Sequence, residues 1–395
     1  MKRHTRILAL ALSLVMIIGL AACGGGSSAS PSASAPAEQT GPIKMACLAP
    51  FSGNYAQYGE GYKTSIEMAL AEYNANGGYN GRELVCDYYD DKMDAKEAVT
   101  VAQKIVNQDY IICVGPWSST IGFAVCSTFA DGKMGLYGIS TSHTDLVKQN
   151  DYIVRQSPDI IQFTDAEARL AYVEFGLRKT AILNYVDDMA NTAAARFTSD
   201  FESLGGEVVA HETYMTGDVD FTAQLTKMIA AGPDYIWIQG SYNDTARIIQ
   251  QARELDFTGR ISIPAASYNP ALLELAGPYL EGCTSIVHID PDLPEAVALG
   301  EKYTAACGKA LDAHSYMAYD CALHVTQALD ACGPDKEAII TYLRDDQNAQ
   351  GTFGTVVYND GSPVAPVFPV IVENGKYTTY EPQNITREEL AVLFG

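Results

Sequence analysis

Two runs of small hydroxyl residues stand where short apolar segments give way to helical ones: Gly115-Pro116-Trp117-Ser118-Ser119-Thr120 and Ser140-Thr141-Ser142-His143-Thr144. A helix N-terminus leaves N–H groups without partners and carries the positive end of the helix dipole. It therefore takes an anion without a lysine or arginine. Ser118, Ser119 and Thr120 can add hydroxyl donors there, and Thr144 can point one more from the neighbouring strand end. Together they predict a cradle for a carboxylate. Serine and threonine are also the preferred helix caps; two such clusters on adjacent strand ends of one half of the chain are what favour a ligand site. His143 and an aspartate could complete a serine hydrolase with Ser118 or Ser119, but no Gly-x-Ser-x-Gly elbow is present. No catalysis is expected. CxxC and Cys–His zinc spacings are absent, so neither metal nor cofactor is expected.

The elements that must position these residues follow one rhythm. An apolar run from Ile43 to Leu48 ends in a loop of Pro50, Ser52, Gly53 and Asn54, and a helical stretch follows with Ile66, Ala69, Leu70 and Tyr73 on one face. Strand Glu83–Tyr89, helix Ala95–Asn107, strand Tyr110–Val114, helix Thr120–Asp131 and strand Met134–Ile139 continue it. A second series has strands at Thr180–Tyr185, Glu207–Tyr214, Asp234–Gln239 and Arg260–Pro264. A third stretch reads as strand Ser285–Ile289 and helices Pro294–Cys307 and Ser315–Cys332. The end has a hairpin character, Thr355–Tyr358, turn Asn359-Asp360-Gly361, then Val367–Val372 and a second turn at Glu373-Asn374-Gly375. Alternating strands and helices imply parallel sheets covered on both faces, and in such sheets ligands bind beyond the carboxyl ends of the strands. Two α/β lobes of similar build are expected, with the chain crossing between them more than once.

The N-terminus reads as a leader. Lys2, Arg3 and Arg6 precede an apolar run from Ile7, which closes in Leu20-Ala21-Ala22-Cys23. A cysteine directly after small residues resembles a bacterial lipoprotein signal, in which the thiol is acylated and becomes the new N-terminus. From Gly24 to Pro42 the chain is almost only Gly, Ser, Ala and Pro, a composition that cannot bury enough apolar surface to order itself. Some 350 residues remain, natural for two domains. Three of the 26 basic residues lie in the leader, which leaves 48 acidic residues facing 23 basic ones, a net −25 against −22 for the whole chain. That excess argues against nucleic acid and against lying on an anionic membrane surface. Of the nine cysteines, most of the eight after Cys23 are expected to be free thiols, because several sit within apolar strand or helix patterns.

The run Ile43 to Gly59, Tyr89-Asp90-Asp91, the Gly-Pro-Trp-Ser-Ser turn and the segment Ile139 to Thr144 resemble one family, as do Arg155 with Asp159 and Gln162, the helix Tyr242 to Arg253 and the Tyr319-Asp320 pair. It is the leucine/isoleucine/valine-type (type I) periplasmic binding proteins, the substrate-capturing lipoproteins of amino-acid ABC transporters. The resemblance spans about Ile43 to Tyr380. It implies an α/β fold of two doubly wound parallel-sheet lobes joined by a multi-strand hinge, closing on a small amino-acid-like or carboxylate ligand. It also implies an extracytoplasmic protein, held at the bacterial membrane by lipid on Cys23 and delivering its ligand to permease subunits. The expected organisation is signal peptide 1–22, lipidated cysteine and linker 23–42, first lobe 43–157 with 288–352, second lobe 158–287 with 353–382, and C-terminal extension 383–395.

Carried over by position, the resemblance makes Ser119 and Thr144 the hydroxyl anchors of the carboxylate. Ser118 and Trp117 would lend backbone groups and a side wall, and Ser142 or His143 would offer a carbonyl to an α-ammonium. Tyr58 would be the first-lobe aromatic and Tyr242 a second-lobe one. Branched-chain members place an acid after the last second-lobe strand; here that position is Ala265, and Met189 replaces the tyrosine usual in the Asp-Asp-Tyr-Gly turn. An unpaired buried ammonium is costly. So either Asp187, Asp188, Asp290 or Asp320 serves, or the ligand lacks a simple α-ammonium. Tyr55, Tyr58, Trp117, Met189, Tyr242 and Tyr268 all fall in strand-end loops, and about half of them are expected to reach an apolar or ring-bearing ligand. A tethered sensor domain would share the same ligand chemistry.

Overall fold

In the computed structural model, residues 41–352, 354–364, 366–386 and 389–390 are described. Cys23, the leader and the linker lie outside them. The first five strands form one parallel sheet in the order β2-β1-β3-β4-β5: β1 (Ile43–Ala49), β2 (Leu84–Asp90), β3 (Cys113–Val114), β4 (Leu136–Gly138) and β5 (Ile153–Arg155). Six of the seven residues of β1 are buried, the sign of a strand covered on both faces. Helices α1 (Ala56–Ala75), α2 (Ala95–Val106) and α3 (Ser119–Asp131) make the crossovers. Gly61 lets α1 approach closely, since a Cβ there would sit 2.2 Å from the Ser315 hydroxyl.

After β5 come α4 (Ile160–Arg169), β6 (Lys179–Tyr185), α5 (Asp188–Ser203), β7 (Glu207–Tyr214), α6 (Thr222–Ala230), β8 (Tyr235–Gln239), α7 (Tyr242–Glu254), β9 (Arg260–Ile261) and α8 (Pro270–Ala276). Their strands form a second parallel sheet, β7-β6-β8-β9. A parallel bridge from Ser262 to Thr284 joins β10 (Thr284–Val287) to its edge. The chain then returns to the first half through α9 (Pro294–Cys307), α10 (Ala313–Cys332) and α11 (Lys336–Arg344), and α10 packs along α1. Doubly wound parallel sheets in two lobes are the architecture expected from the alternating pattern.

The end of the chain divides differently from the expected boundary at 353. Strands β11 (Ala349–Gly351), β12 (Gly354–Asn359) and β13 (Ser362–Val364) form a small antiparallel sheet that stays with the first lobe. The Gly361 carbonyl accepts from Arg155 N at 3.0 Å, and the Tyr358 and Tyr137 hydroxyls are 2.6 Å apart. Only β14 (Phe368–Glu373) and β15 (Lys376–Thr379) join the second lobe, by antiparallel pairing of β14 with β10. The reason is local. Asp360-Gly361 and Asn374-Gly375 all have positive φ, the requirement of two-residue hairpin turns, so β12 pairs with β13 rather than with the later strand. Residues 383–385 are likewise no loose extension: buried Glu174 accepts from the Gln383 and Asn384 backbone, and Ile385 and Leu390 join the second lobe's core.

All eight cysteines after Cys23 are unpaired, and among the described residues no helix is long and apolar enough to cross a membrane.

Candidate functional site

The site lies between the two sheets, at the carboxyl ends of their strands, around about 780 Å³ of empty space counting its mouth. On the first lobe, the chain leaves β3 through Gly115, whose φ of 93° and whose absent Cβ (2.0 Å from the Leu48 carbonyl oxygen if present) only glycine provides. Trp117 follows, and Ser118 caps α3 by accepting from Thr120 N at 3.2 Å. Ser119, nearly fully buried, opens the helix. Its Oγ accepts backbone N–H groups from Ser142 at 3.1 Å and from His143 at 3.2 Å. A hydroxyl has two acceptor lone pairs and one donor. With both lone pairs engaged, its O–H remains to be given to whatever enters. Ser118, Ser119, Ser140 and Ser142 all line the space.

Thr144 is not among the lining residues. Its Oγ1 donates to Asp159 Oδ1 at 2.6 Å, and Asp159 also pairs with buried Arg155 at 2.6 Å and caps α4 through Ile161 N. A buried ion pair needs its remaining lone pairs satisfied, so the threonine hydroxyl serves the segment that crosses between lobes. The expected Thr144 anchor therefore has no donor left for a ligand. Nor is the Ser142 carbonyl free to receive an ammonium, since it accepts Ile160 N at 2.7 Å and Arg155 Nη1 at 2.9 Å. The His143 carbonyl accepts Leu146 N, and the His143 ring stacks edge-on to Phe123 with Nδ1 accepting from Asp145 N. No pairing of that ring with Ser119 forms.

The six loop residues expected to touch the ligand separate into three groups. Trp117 and Met189 line the cavity. Tyr58 stacks on Trp117 at 4.4 Å, with Tyr55 at 5.1 Å from the indole and Tyr242 edge-on to Tyr58 at 6.1 Å, so these three form the layer behind the tryptophan. Tyr268 lies apart, against Tyr377 at 4.4 Å. Contacts across the cleft join the lobes: Thr120 Oγ1 donates to Asp187 at 2.9 Å, and the Ala266 carbonyl faces the Tyr58 hydroxyl at 3.4 Å and His314 Nε2 at 3.2 Å. Since a carbonyl only accepts, Nε2 carries the proton and His314 Nδ1 accepts from the Ser140 hydroxyl at 2.8 Å.

The second wall was not legible as a site. Ile160, Phe163, Thr164 and Glu167 recur at the spacing of one helix face, and that face of α4 looks into the cavity beside Trp237 and Gln239 of β8 and His288 after β10. The Glu167 carboxylate accepts from Trp237 Nε1 at 2.5 Å, and burial pushes its carboxyl from 4.5 up to about 8. His288 is half-buried overall, yet both ring nitrogens are shut off from solvent and neither makes a hydrogen bond of good geometry; burial first, and then the neighbouring His314, drive it down to about 3, against a weak hydrogen bond with the Ala313 backbone. His314 is lowered too, by burial first. The lining holds no lysine, arginine or aspartate, and burial pushes each of Glu167, His288 and His314 toward its uncharged form. Ala265 does line the cavity, whereas Asp187, Asp188, Asp290 and Asp320 do not. A glutamate on the helix face of Ile160 and Phe163 is the sequence signal that could have found this wall.

A family model for periplasmic binding proteins matches residues 42–376. A Leu/Ile/Val-binding protein homologue from Brucella abortus is 23% identical over 349 residues, covering 86% of this chain and 93% of its own length. The crystal structure of a leucine-binding protein from Thermotoga maritima is 25% identical with a TM-score of 0.79, covering 86% of this chain and 97% of that one. A solute-binding protein from Rhodopseudomonas palustris, solved with 3,4-dihydroxybenzoic acid, is 18% identical with a TM-score of 0.79, over 87% and 98% of the two chains. Two lobes, a cavity at their facing strand ends and a match along most of the chain agree: the chain belongs to the periplasmic binding protein family, with the type I fold.

Proposed function

We propose that this receptor captures a small carboxylic acid with an apolar or aromatic body, and that the acid carries no α-ammonium. The observation that carries the reading is Ser119: its hydroxyl, with both lone pairs taken by backbone N–H groups, leaves only a donor toward the cavity. In the same seat the Ser142 carbonyl is doubly engaged and Ala265 stands where an acid would answer an ammonium. Proteins of this fold include one named for leucine and one solved with dihydroxybenzoate. The fold therefore leaves ligand choice to the lining. Trp117, Phe163, Met189, Trp237 and Met317 give that lining an apolar, soft centre.

Capture proceeds by docking on the Ser118/Ser119 wall, after which the second lobe swings in and the contacts at Asp187 and Ala266 form. Lipid on Cys23 holds the receptor outside the cytoplasmic membrane, within reach of the permease that takes the ligand; the leader and the Gly/Ser/Ala/Pro leash support this.

A thermal-shift and calorimetric panel tests the reading with matched pairs: leucine and 4-methylpentanoate, phenylalanine and 3-phenylpropanoate, and the methyl esters of both acids. The des-amino acids are expected to stabilise the protein more than their α-amino twins, and the esters least. Equal response to acid and ester, or tighter binding of the amino acids, overturns it.

A further inference from the structure

The wall opposite the serines carries polar groups that nothing in the carboxylate seat uses. Ile160 N donates to the Ser142 carbonyl, so the N-terminus of α4 abuts the Ser119 seat. Glu167 lies two turns further along the same helix, which at 1.5 Å per residue places its backbone about 10 Å away along the axis. Phe163, one turn before it, packs edge-on to the His288 ring at 6.3 Å. Glu167 and His288 both line the cavity that the Ser119 seat lines. Among the described residues Glu167 has a single hydrogen bond, from Trp237 to one carboxyl oxygen, and the His288 ring nitrogens make no hydrogen bond of good geometry, the Ala313 backbone offering the ring a weak one. Buried polar groups are almost always satisfied, and each exception asks for a partner. The space they both face is the cavity itself.

We infer that Glu167 and His288 form a second polar subsite, which takes a hydroxyl at the far end of the ligand. The inference rests on the carboxylate reading above and adds the substrate class: a hydroxylated carboxylic acid, with its acid group on Ser119 and its hydroxyl between carboxyl and imidazole. A neutral imidazole offers one donor and one acceptor, and a protonated carboxyl offers a donor from its second oxygen. A hydroxyl, which both gives and accepts, can bridge the carboxyl and one ring nitrogen. A methyl or isopropyl terminus would leave all of them orphaned, and sites built to bind a hydroxyl reject analogues that lack it strongly.

The test measures calorimetric affinity for pairs differing only at the far end: benzoate, 4-hydroxybenzoate and 4-aminobenzoate, and 3-phenylpropanoate with its 4-hydroxyphenyl analogue. Wild-type protein is expected to favour the hydroxylated member at least tenfold. Glu167→Gln, which keeps an oxygen for Trp237 and offers an amide donor, should retain part of that preference. Glu167→Leu and His288→Phe should each reduce that preference, read within each variant as the ratio of its affinities for the hydroxylated and the parent acid. Should Glu167→Leu fail to fold, His288→Phe and the wild-type preference decide. Parent acids that bind as well as hydroxylated ones overturn this inference alone, as does a preference that survives both variants or one for the amino compound. If no carboxylate binds, the carboxylate reading fails and this subsite falls with it.

Discussion

The two walls of the cavity are built by different rules. The first-lobe wall is made of strand-end loops, and its side chains are oriented by backbone: Ser118 by capping α3, Ser119 by two N–H groups from the next loop. The second-lobe wall is one face of a regular helix, and its side chains are oriented by packing on β8 and β10. A loop wall presents donors in a fixed geometry that suits one chemical group, a carboxylate on the function proposed above. A helix face can exchange Phe163, Thr164 or Glu167 without disturbing the fold's turns, so on the proposed reading ligand choice would be concentrated there. The lobes share a sheet grammar and divide the labour of recognition.

The largest test of that contrast is Trp237→Ala. The indole is almost fully buried, stacks on Phe197 at 4.8 Å and holds Glu167. Its removal should cost about 3–5 kcal/mol of stability, measured by urea denaturation; a loss under 1 kcal/mol would mean that packing does not hold this wall.

Next, Ser119→Ala should lower affinity for a bound acid by about 10- to 100-fold, the value of a hydrogen bond to a charged group at about 1.5–3 kcal/mol. Thr144→Ala should instead lower stability by about 1–2 kcal/mol with little direct effect on affinity, since its hydroxyl supports Asp159 and not the ligand. Calorimetry and denaturation on the two variants separate the roles, and equal loss of affinity in both would erase the distinction.

The third test is pH. Glu167 keeps its proton in the folded protein up to about 8, while an unfolded chain releases it from 4.5 upward. Its contribution to stability is therefore complete below 4.5 and is lost as pH rises toward 8, at no more than about 1.4 kcal/mol per pH unit. Glu167→Gln removes that slope: wild type and variant should melt alike near pH 4.5 and diverge in the variant's favour up to pH 8. Parallel melting curves across that window would place the carboxyl in a wetter setting than the structure gives it.

Smallest is the latch. Thr120→Val removes the hydrogen bond to Asp187 across the cleft, worth about 1 kcal/mol. Affinity should fall a few-fold through faster ligand release, visible in stopped-flow dissociation. An unchanged off-rate would show that the Ala266 contacts alone hold the lobes together.

Much of this molecule was legible in one dimension. The period of apolar residues announced the α/β alternation, with Glu207–Tyr214 and Pro294–Cys307 falling on the observed bounds, because local pattern and burial agree wherever an element is covered in a simple way. Ser118 and Ser119 were legible because capping is a local rule. What chain order alone could not reveal depended on partners far away. Thr144 belongs to a buried ion pair closed by Arg155 and Asp159, β12 pairs back onto the first lobe, and the α4 face containing Glu167 could have met core or cleft with equal pattern. Residue types and periodicity determined that there would be two sheets and a donor-rich seat on one of them. Only the packing of one lobe against the other decided which side chains share that space, because burial and the supply of hydrogen-bond partners are properties of neighbours in three dimensions.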